Sequence, residues 1–322
     1  MIKLKNLISR VLPLIGVLLF IFILSKVGIS SILTTFKEIN LIYFSLAIIF
    51  MAPVTFFKAK KWKCILKSLS IKISVWESFK IIIISYFIGS LTPGRVGDFS
   101  RALYLKKEGD SNLIKGFSST LIDRIFDIGF LIILSFFSII FLINFYSFSY
   151  SSMITIIIVA IAFAFGLLLL LKKTIIRKLL RPFFYMLIPE KFQSKLRNAF
   201  DDFYSSILIF IKNKRAVFSL SFFTILTWLF GFLSMYFGAM ALNIPVTYFH
   251  MILILPFTTL VEALPISFSG VGTRDAVLIL MFTLLGISSS LAVSFSIMIL
   301  ILNYIMNLFG VLFWIKNPFK LS

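Results

Sequence analysis

The sequence predicts an all-α polytopic membrane protein, with about six full transmembrane helices and two re-entrant, broken-helix hairpins in an inverted-repeat arrangement. Three observations predict it. Of the 322 residues, 60% are hydrophobic and 14% charged, and the mean hydropathy is +1.07, beyond the range of an ordinary soluble domain. Apolar runs long enough to cross a bilayer, which takes roughly 20 helical residues, alternate with blocks of Lys and Arg. Two further runs, at 79–107 and 248–286, are cut by Pro, Gly and charge. The net charge of +20 does not point to nucleic acid, because the basic residues fall in a few blocks between apolar runs rather than on one soluble face. Cys64 is the only cysteine, so neither an internal disulfide nor a cysteine metal site is expected, and no cofactor is implied.

Taken in order, full spans are expected at 7–25, 39–57, 117–143, 153–171, 216–242 and 291–315, all within one integral membrane domain over 1–322. The basic start (Lys3, Lys5, Arg10) and the apolar stretch after it resemble a signal peptide. Ser25-Lys26-Val27 is a poor cleavage site, however, so the stretch reads as a retained first span. Seven Lys and Arg lie in 58–80 and eleven in 172–215, against none in 144–152, 243–247 and 287–290. By the positive-inside rule the basic loops are cytoplasmic, as are both termini, in a cell membrane. That alternation closes only if each broken segment returns to the side it came from, the first from the cytoplasm and the second from outside.

Within the loop 172–215, Phe192, Leu196, Phe200, Phe203, Ile207 and Phe210 recur at helical steps, the pattern of an amphipathic helix lying on the membrane surface or of a solvated connector with one apolar face. Trp62, Trp76 and Trp314 fall near the ends of spans, where indole rings anchor at the interface. His250, the sole histidine, also reads as interfacial rather than as a catalytic base.

The first broken segment stops at Pro93, Gly94 and Gly97 and carries Arg95, Asp98 and Arg101; the second stops at Pro265, Gly270 and Gly272 and carries Arg274 and Asp275. Broken helices leave backbone groups unpaired unless these are buried in protein or line a wet cavity, and a pair entering from opposite sides is how transporters build a midplane site. Asp123 and Asp127 share a face of the third span, with Arg124 beside them, and Glu262 stands in an apolar stretch of the second segment. Charges there are costly, so they should face the interior and pair. Arg95, Arg101, Arg124 and Arg274 suit an anionic headgroup, because guanidinium groups grip phosphate by paired hydrogen bonds. Helix starts near Phe99 and Arg274 would add their positive ends. The carboxylates Asp98, Asp123, Asp127, Glu262 and Asp275 would orient those arginines, or one would carry a coupling proton.

At these residues the chain resembles the transmembrane region of the lysylphosphatidylglycerol synthase family, the flippase-like domain proteins that include the flippase half of the multiple peptide resistance factor. The resemblance runs through a Pro-Gly turn with R-x-G-[ED]-x-x-R (Pro93, Gly94, Arg95, Gly97, Asp98, Arg101), an acidic-Arg-x-x-Asp stretch (Asp123, Arg124, Asp127) and a late P-x-x-G-G-x-G-x-R-E stretch (Pro265, Gly270, Gly272, Arg274, Asp275). Asp98 and Asp275 stand where the family usually has Glu, and Ser269 replaces a glycine. The resemblance implies lipid handling. The soluble aminoacyl-transferase module of two-part members is not matched, so synthesis of an aminoacylated lipid is not expected of this chain. The leading expectation is a translocase for an anionic phospholipid or polyprenyl phosphate, without enzymatic activity and with a separate lipid-modifying enzyme as a possible partner. The alternative is a membrane-embedded enzyme, or enzyme partner, acting on such a lipid.

Overall fold

The computed structural model describes residues 20–108, 113–145, 174–175, 190–263, 267 and 270–316. Its elements are α1 (Phe20–Val27), α2 (Ile29–Lys37), α3 (Leu41–Ser68), α4 (Val75–Ser90), a 3-10 turn (Pro93–Phe99), α5 (Ser100–Glu108), α6 (Leu113–Phe145), α7 (Glu190–Lys212), α8 (Lys214–Ala241), α9 (Tyr248–Glu262), α10 (Thr273–Leu284) and α11 (Ser289–Lys316). Among the described residues, α3, α6, α8 and α11 are each long and apolar enough to cross a membrane, and α1 with α2 forms a fifth candidate bent by 78°. The bend falls at Gly28, whose φ of 86° lies in the left-handed region that glycine tolerates. Most of the span expected at 7–25, and all of the one at 153–171, lie outside the described residues.

The second span is longer than expected. Asn40 starts α3 by accepting hydrogen bonds from the backbone N–H groups of Ile42 and Tyr43, and the helix runs through Pro53 to Ser68. It therefore carries Lys58, Lys61 and Trp62 inside the bundle instead of into a loop. Trp62 is not an interfacial anchor: it is fully buried and donates its indole N–H to Ser119 Oγ at 3.1 Å. Trp76 and Trp314, by contrast, are exposed at the end of the bundle where α4 starts and α11 stops.

α3 and α8 form the spine. They run antiparallel, joined by Asn40 N–H to the Ala241 carbonyl (2.8 Å) and by Ser234 Oγ to the Ala47 carbonyl (2.7 Å). Tyr43, Phe50 and Phe57 on α3 interleave with Phe237, Phe230 and Phe223 on α8, ring centroids 5.2 to 6.4 Å apart. Both triplets are spaced by seven, the repeat that keeps one seam of a helix facing its partner.

The broken segments are placed against this spine with the same logic twice. α4 enters beside the end of α11, where Trp76 meets Phe313 and the backbones close up at Gly310. A Cβ on Gly310 would lie 2.6 Å from the Ile83 carbonyl. After the turn, α5 returns along the start of α6, with Phe99 stacked on Phe117 at 4.4 Å and Gly116 against Ala102. α9 enters at the opposite end, where Phe249 meets Phe141 of α6 at 4.8 Å, and α10 returns along α11, Phe282 stacked on Phe295 at 5.6 Å. Each segment thus starts and finishes at one end of the bundle, and the two come from opposite ends. The entering arm of each packs on the closing helix of the other half, and the returning arm on its own.

α7 is the amphipathic helix anticipated from the spacing, but one face is spent on protein. Ile207 and Phe210 are buried, Phe210 edge-on to Phe126 of α6 at 5.8 Å and Phe203 against Phe117 at 6.2 Å, while Leu208, Ile209 and Ile211 stay exposed. Among the described residues burial is organised as two large apolar clusters, one around the first broken segment with α7 and the other around the second, with the charged layer between them, and a small third cluster where Ile23 and Ile32 meet Val293.

Candidate functional site

The first break is held by short-range geometry. Thr92 Oγ1 accepts the Gly97 N–H at 2.7 Å and donates to the Gly89 carbonyl at 2.9 Å, closing the 3-10 turn that begins at Pro93 and Gly94. The turn lies flush on α4: a Cβ on Gly97 would be 2.3 Å from the Ile88 carbonyl, and one on Gly89 2.2 Å from Asp98 Oδ1. Arg95 sits at φ 54°, a left-handed conformation costly for a branched-out side chain and one that recurs at functional sites. From there its guanidinium reaches the second break and pairs with Glu262 Oε1 at 2.8 Å.

The second break opens where α9 ends at Glu262. Gly270 and Gly272 have φ of 77° and 82°, and a Cβ on Gly270 would come within 2.9 Å of Glu262 Cγ. Pro265 and Ser269 lie outside the described residues. Among the described residues Asp275 pairs with no arginine, contrary to expectation. Its Oδ2 accepts the Gly272 N–H at 2.7 Å, capping α10, because three residues is the reach of an N-terminal carboxylate back to its own cap. Arg274 is instead held by Ser296 on α11, through Nε to Oγ at 2.9 Å and NH2 to the carbonyl at 3.0 Å, with NH1 4.0 Å from Glu262 Oε2.

Asp123 and Asp127 of α6 face α3. Lys61 pairs with Asp123 at 2.8 Å and with Asp127 at 2.5 Å; Lys58 pairs with Asp123 at 3.1 Å and with Asp127. Arg101 adds a 2.9 Å bond to Asp123, a bond to Ser85 Oγ at 2.9 Å, and a seat over the Trp62 ring at 5.7 Å. Trp228 of α8 donates its indole N–H to Asp127 at 3.2 Å. Arg124 points away from its two neighbouring aspartates in sequence and pairs with Asp98 in the first break.

The structure therefore joins the sequence-derived residues into one layer, with Asp275 at its edge, and adds Lys58, Lys61 and Trp228. In sequence Lys58 and Lys61 fall within a basic block, with Lys60, Lys63 and Lys67 around them. The signal that separates them is period: Met51, Thr55, Lys58, Trp62 and Ile65 step along one face of α3, and Lys61 borders that face, which is the buried one. Five basic residues remain in 60–80 without them, so the charge asymmetry of the loops persists.

A cavity of about 240 Å³ opens within this layer, lined by Lys58, Arg95, Asp98, Arg101, Arg124, Asp127, Glu262 and Arg274, and by Tyr86, Trp228, Asn303 and Asn307. Arg95 and Arg124 keep 33% and 27% of their side chains exposed, whereas Arg101 and Arg274 are 1% exposed. The first pair can meet a ligand and the second pair holds the walls. Among the described residues no group of His, Cys, Asp and Glu comes together to hold a metal ion. His250 caps α9 instead, its Nδ1 accepting the Thr247 N–H at 3.0 Å.

The family model described as the lysylphosphatidylglycerol synthase TM region matches residues 7–310, which include both broken segments and every charged residue of the layer. The chain belongs to this family. It is a multi-pass membrane protein, similar to a UPF0104 membrane protein of Methanocaldococcus jannaschii (26% identical, covering 95% of this chain and 94% of that one) and to a UPF0104 membrane protein of Pyrococcus horikoshii (23% identical, covering 95% and 96%). No solved structure matches it. For this family member the Pro-Gly turn with its R-x-G-D-x-x-R run and the Asp123-Arg124-x-x-Asp127 run are now linked by the Asp98–Arg124 and Arg101–Asp123 pairs.

Proposed function

We propose that this family member moves an anionic phospholipid or lipid-linked headgroup between the leaflets of a cell membrane, by alternating access around the layer between the hairpin tips. The carrying observation is the polar cavity at the meeting point of two broken segments that enter from opposite ends, bridged by Arg95 and Glu262. Lys58, Lys61, Arg95, Arg101, Arg124 and Arg274 outnumber Asp98, Asp123, Asp127 and Glu262, with Asp275 turned to its own helix, so the layer favours an anion. A phosphate entering the cavity competes with Glu262 for Arg95 and with Asp98 for Arg124, exchanging one charge-assisted bond for another. Losing the Arg95–Glu262 bridge frees the two tips to separate, and separation toward either end opens the cavity to that leaflet.

The basic loop around 60–80 and the α7–α8 region would face the cytoplasm with both termini. The activity is transport, not chemistry on the lipid, with a separate lipid-modifying enzyme supplying or consuming the cargo. Thiol accessibility tests the alternating cavity. In a Cys64→Ser background, Thr259→Cys places a label site on the cavity wall. In sealed vesicles it should react with membrane-impermeant maleimide from both sides, and anionic phospholipid should slow both reactions. Reaction from one side only, under every lipid condition, contradicts the proposal.

A further inference from the structure

Two asparagines on α11 have no place in the charge network. Asn303 and Asn307 are four residues apart, so they share a face, and both line the cavity. Neither side chain hydrogen-bonds another described residue, although Asn307 is 8% exposed. An amide inside a membrane bundle ordinarily bonds across to a neighbouring helix, and each carries two donors and a carbonyl acceptor. With none of these engaged by described protein groups, both amides are available to a ligand in the cavity they line.

Their height in the bundle places them beside the phosphate-binding end. Gly310 lies against the Ile83 carbonyl and the Phe87 side chain, and α4 and α11 run antiparallel there. Two turns back along α11, Asn303 comes level with the end of α4, where the chain turns toward Arg95. The chemistry of the amide then selects. Phosphate oxygens only accept, so they satisfy the NH2 groups and leave both carbonyls empty. An ammonium only donates, and it would enter a layer with excess cations. A hydroxyl donates and accepts, and two neighbouring hydroxyls match two amides one helical turn apart.

We infer that Asn303 and Asn307 are the headgroup-selecting residues, hydrogen-bonding a polyhydroxylated substituent, glycerol or sugar, esterified to the phosphate that Arg95 and Arg124 hold. This inference rests on the phosphate-lipid reading of the cavity. The test compares lipids of equal charge by equilibrium binding to the full-length protein in neutral-lipid nanodiscs: phosphatidylglycerol against phosphatidylmethanol, and polyprenyl-phosphoryl-glucose against polyprenyl methyl phosphate. Wild type should favour the hydroxylated member of at least one pair by about tenfold or more, as sites built around a substrate hydroxyl do. The pair that shows the preference tells a phospholipid from a polyprenyl source. In Asn303→Leu/Asn307→Leu that ratio should fall toward one while binding of the methyl ester is kept, and the half-buried Asn303→Leu alone should give an intermediate ratio. A ratio of one in wild type for both pairs, or a ratio unchanged in the variants, overturns the inference while leaving the phosphate site standing. Failure of wild type to bind all four lipids overturns the phosphate reading itself, and this inference with it.

Discussion

Lys61 shows what the charged layer demands of single residues. Its ammonium is fully buried and held by Asp123 and Asp127, and Lys58 holds the same two carboxylates from the other side. With Arg101 also on Asp123, three buried cations share two carboxylates, so removing Asp123 leaves uncompensated positive charge in a dry environment, which typically costs about 3–5 kcal/mol, whereas removing a lysine with it is milder. Asp123→Leu should therefore lower the melting temperature in detergent sharply, and Lys61→Met/Asp123→Leu should recover part of the loss. Equal melting of the two variants would contradict a paired cluster. The carboxylates were legible as sequence because each interrupts an apolar run and lipid makes such charges conspicuous. Their lysines were not, because they stand at the end of a run among solvent-facing lysines, where counting charge erases the difference between faces of one helix. Asn303 and Asn307 escaped for a related reason: an uncharged amide barely lowers the hydropathy of a long span.

At the level of elements, both breaks were readable, since Pro and Gly end helices for local steric reasons that no tertiary contact undoes. The extension of α3 was not readable, because Pro53 and the lysines after it look like a stop, yet packing against α6 and α8 carries the helix on to Ser68. Close approach at glycine is the element-scale feature most open to test. Gly310→Ala would push a methyl into the Ile83 carbonyl and the Phe87 side chain, an overpacking that costs about 1–3 kcal/mol. Gly231→Ala, with nothing within 4 Å of the added carbon in the middle of α8, should be neutral or slightly stabilising. Thermal unfolding of the two variants side by side checks the contrast. The bridge between breaks makes a further prediction: Arg95→Glu should weaken binding of anionic lipid, and adding Glu262→Arg should restore part of it by rebuilding the pair in reverse. No recovery in binding would separate the bridge from the site.

The described residues form two large apolar clusters with a charged layer between them, spanned by the antiparallel α3–α8 spine and entered from opposite ends by two broken segments. Each entering arm packs on the closing helix of the other half, so under the proposed alternating access movement at one tip would be passed to the far half. The inverted halves were legible from matched breaks and loop charge, while the interlocking of their arms depends on side-chain packing that hydropathy does not encode. Leaflet-resolved lipid movement in proteoliposomes tests this account most directly, comparing wild type with Arg124→Ala, in the cavity, and Arg215→Ala, at the exposed start of α8. The account predicts that wild type and Arg215→Ala move anionic phospholipid or polyprenyl phosphate across the bilayer and that Arg124→Ala slows this by about tenfold or more, the loss of one charge-assisted bond. Lipid that binds the cavity of wild type yet never changes leaflet would contradict it.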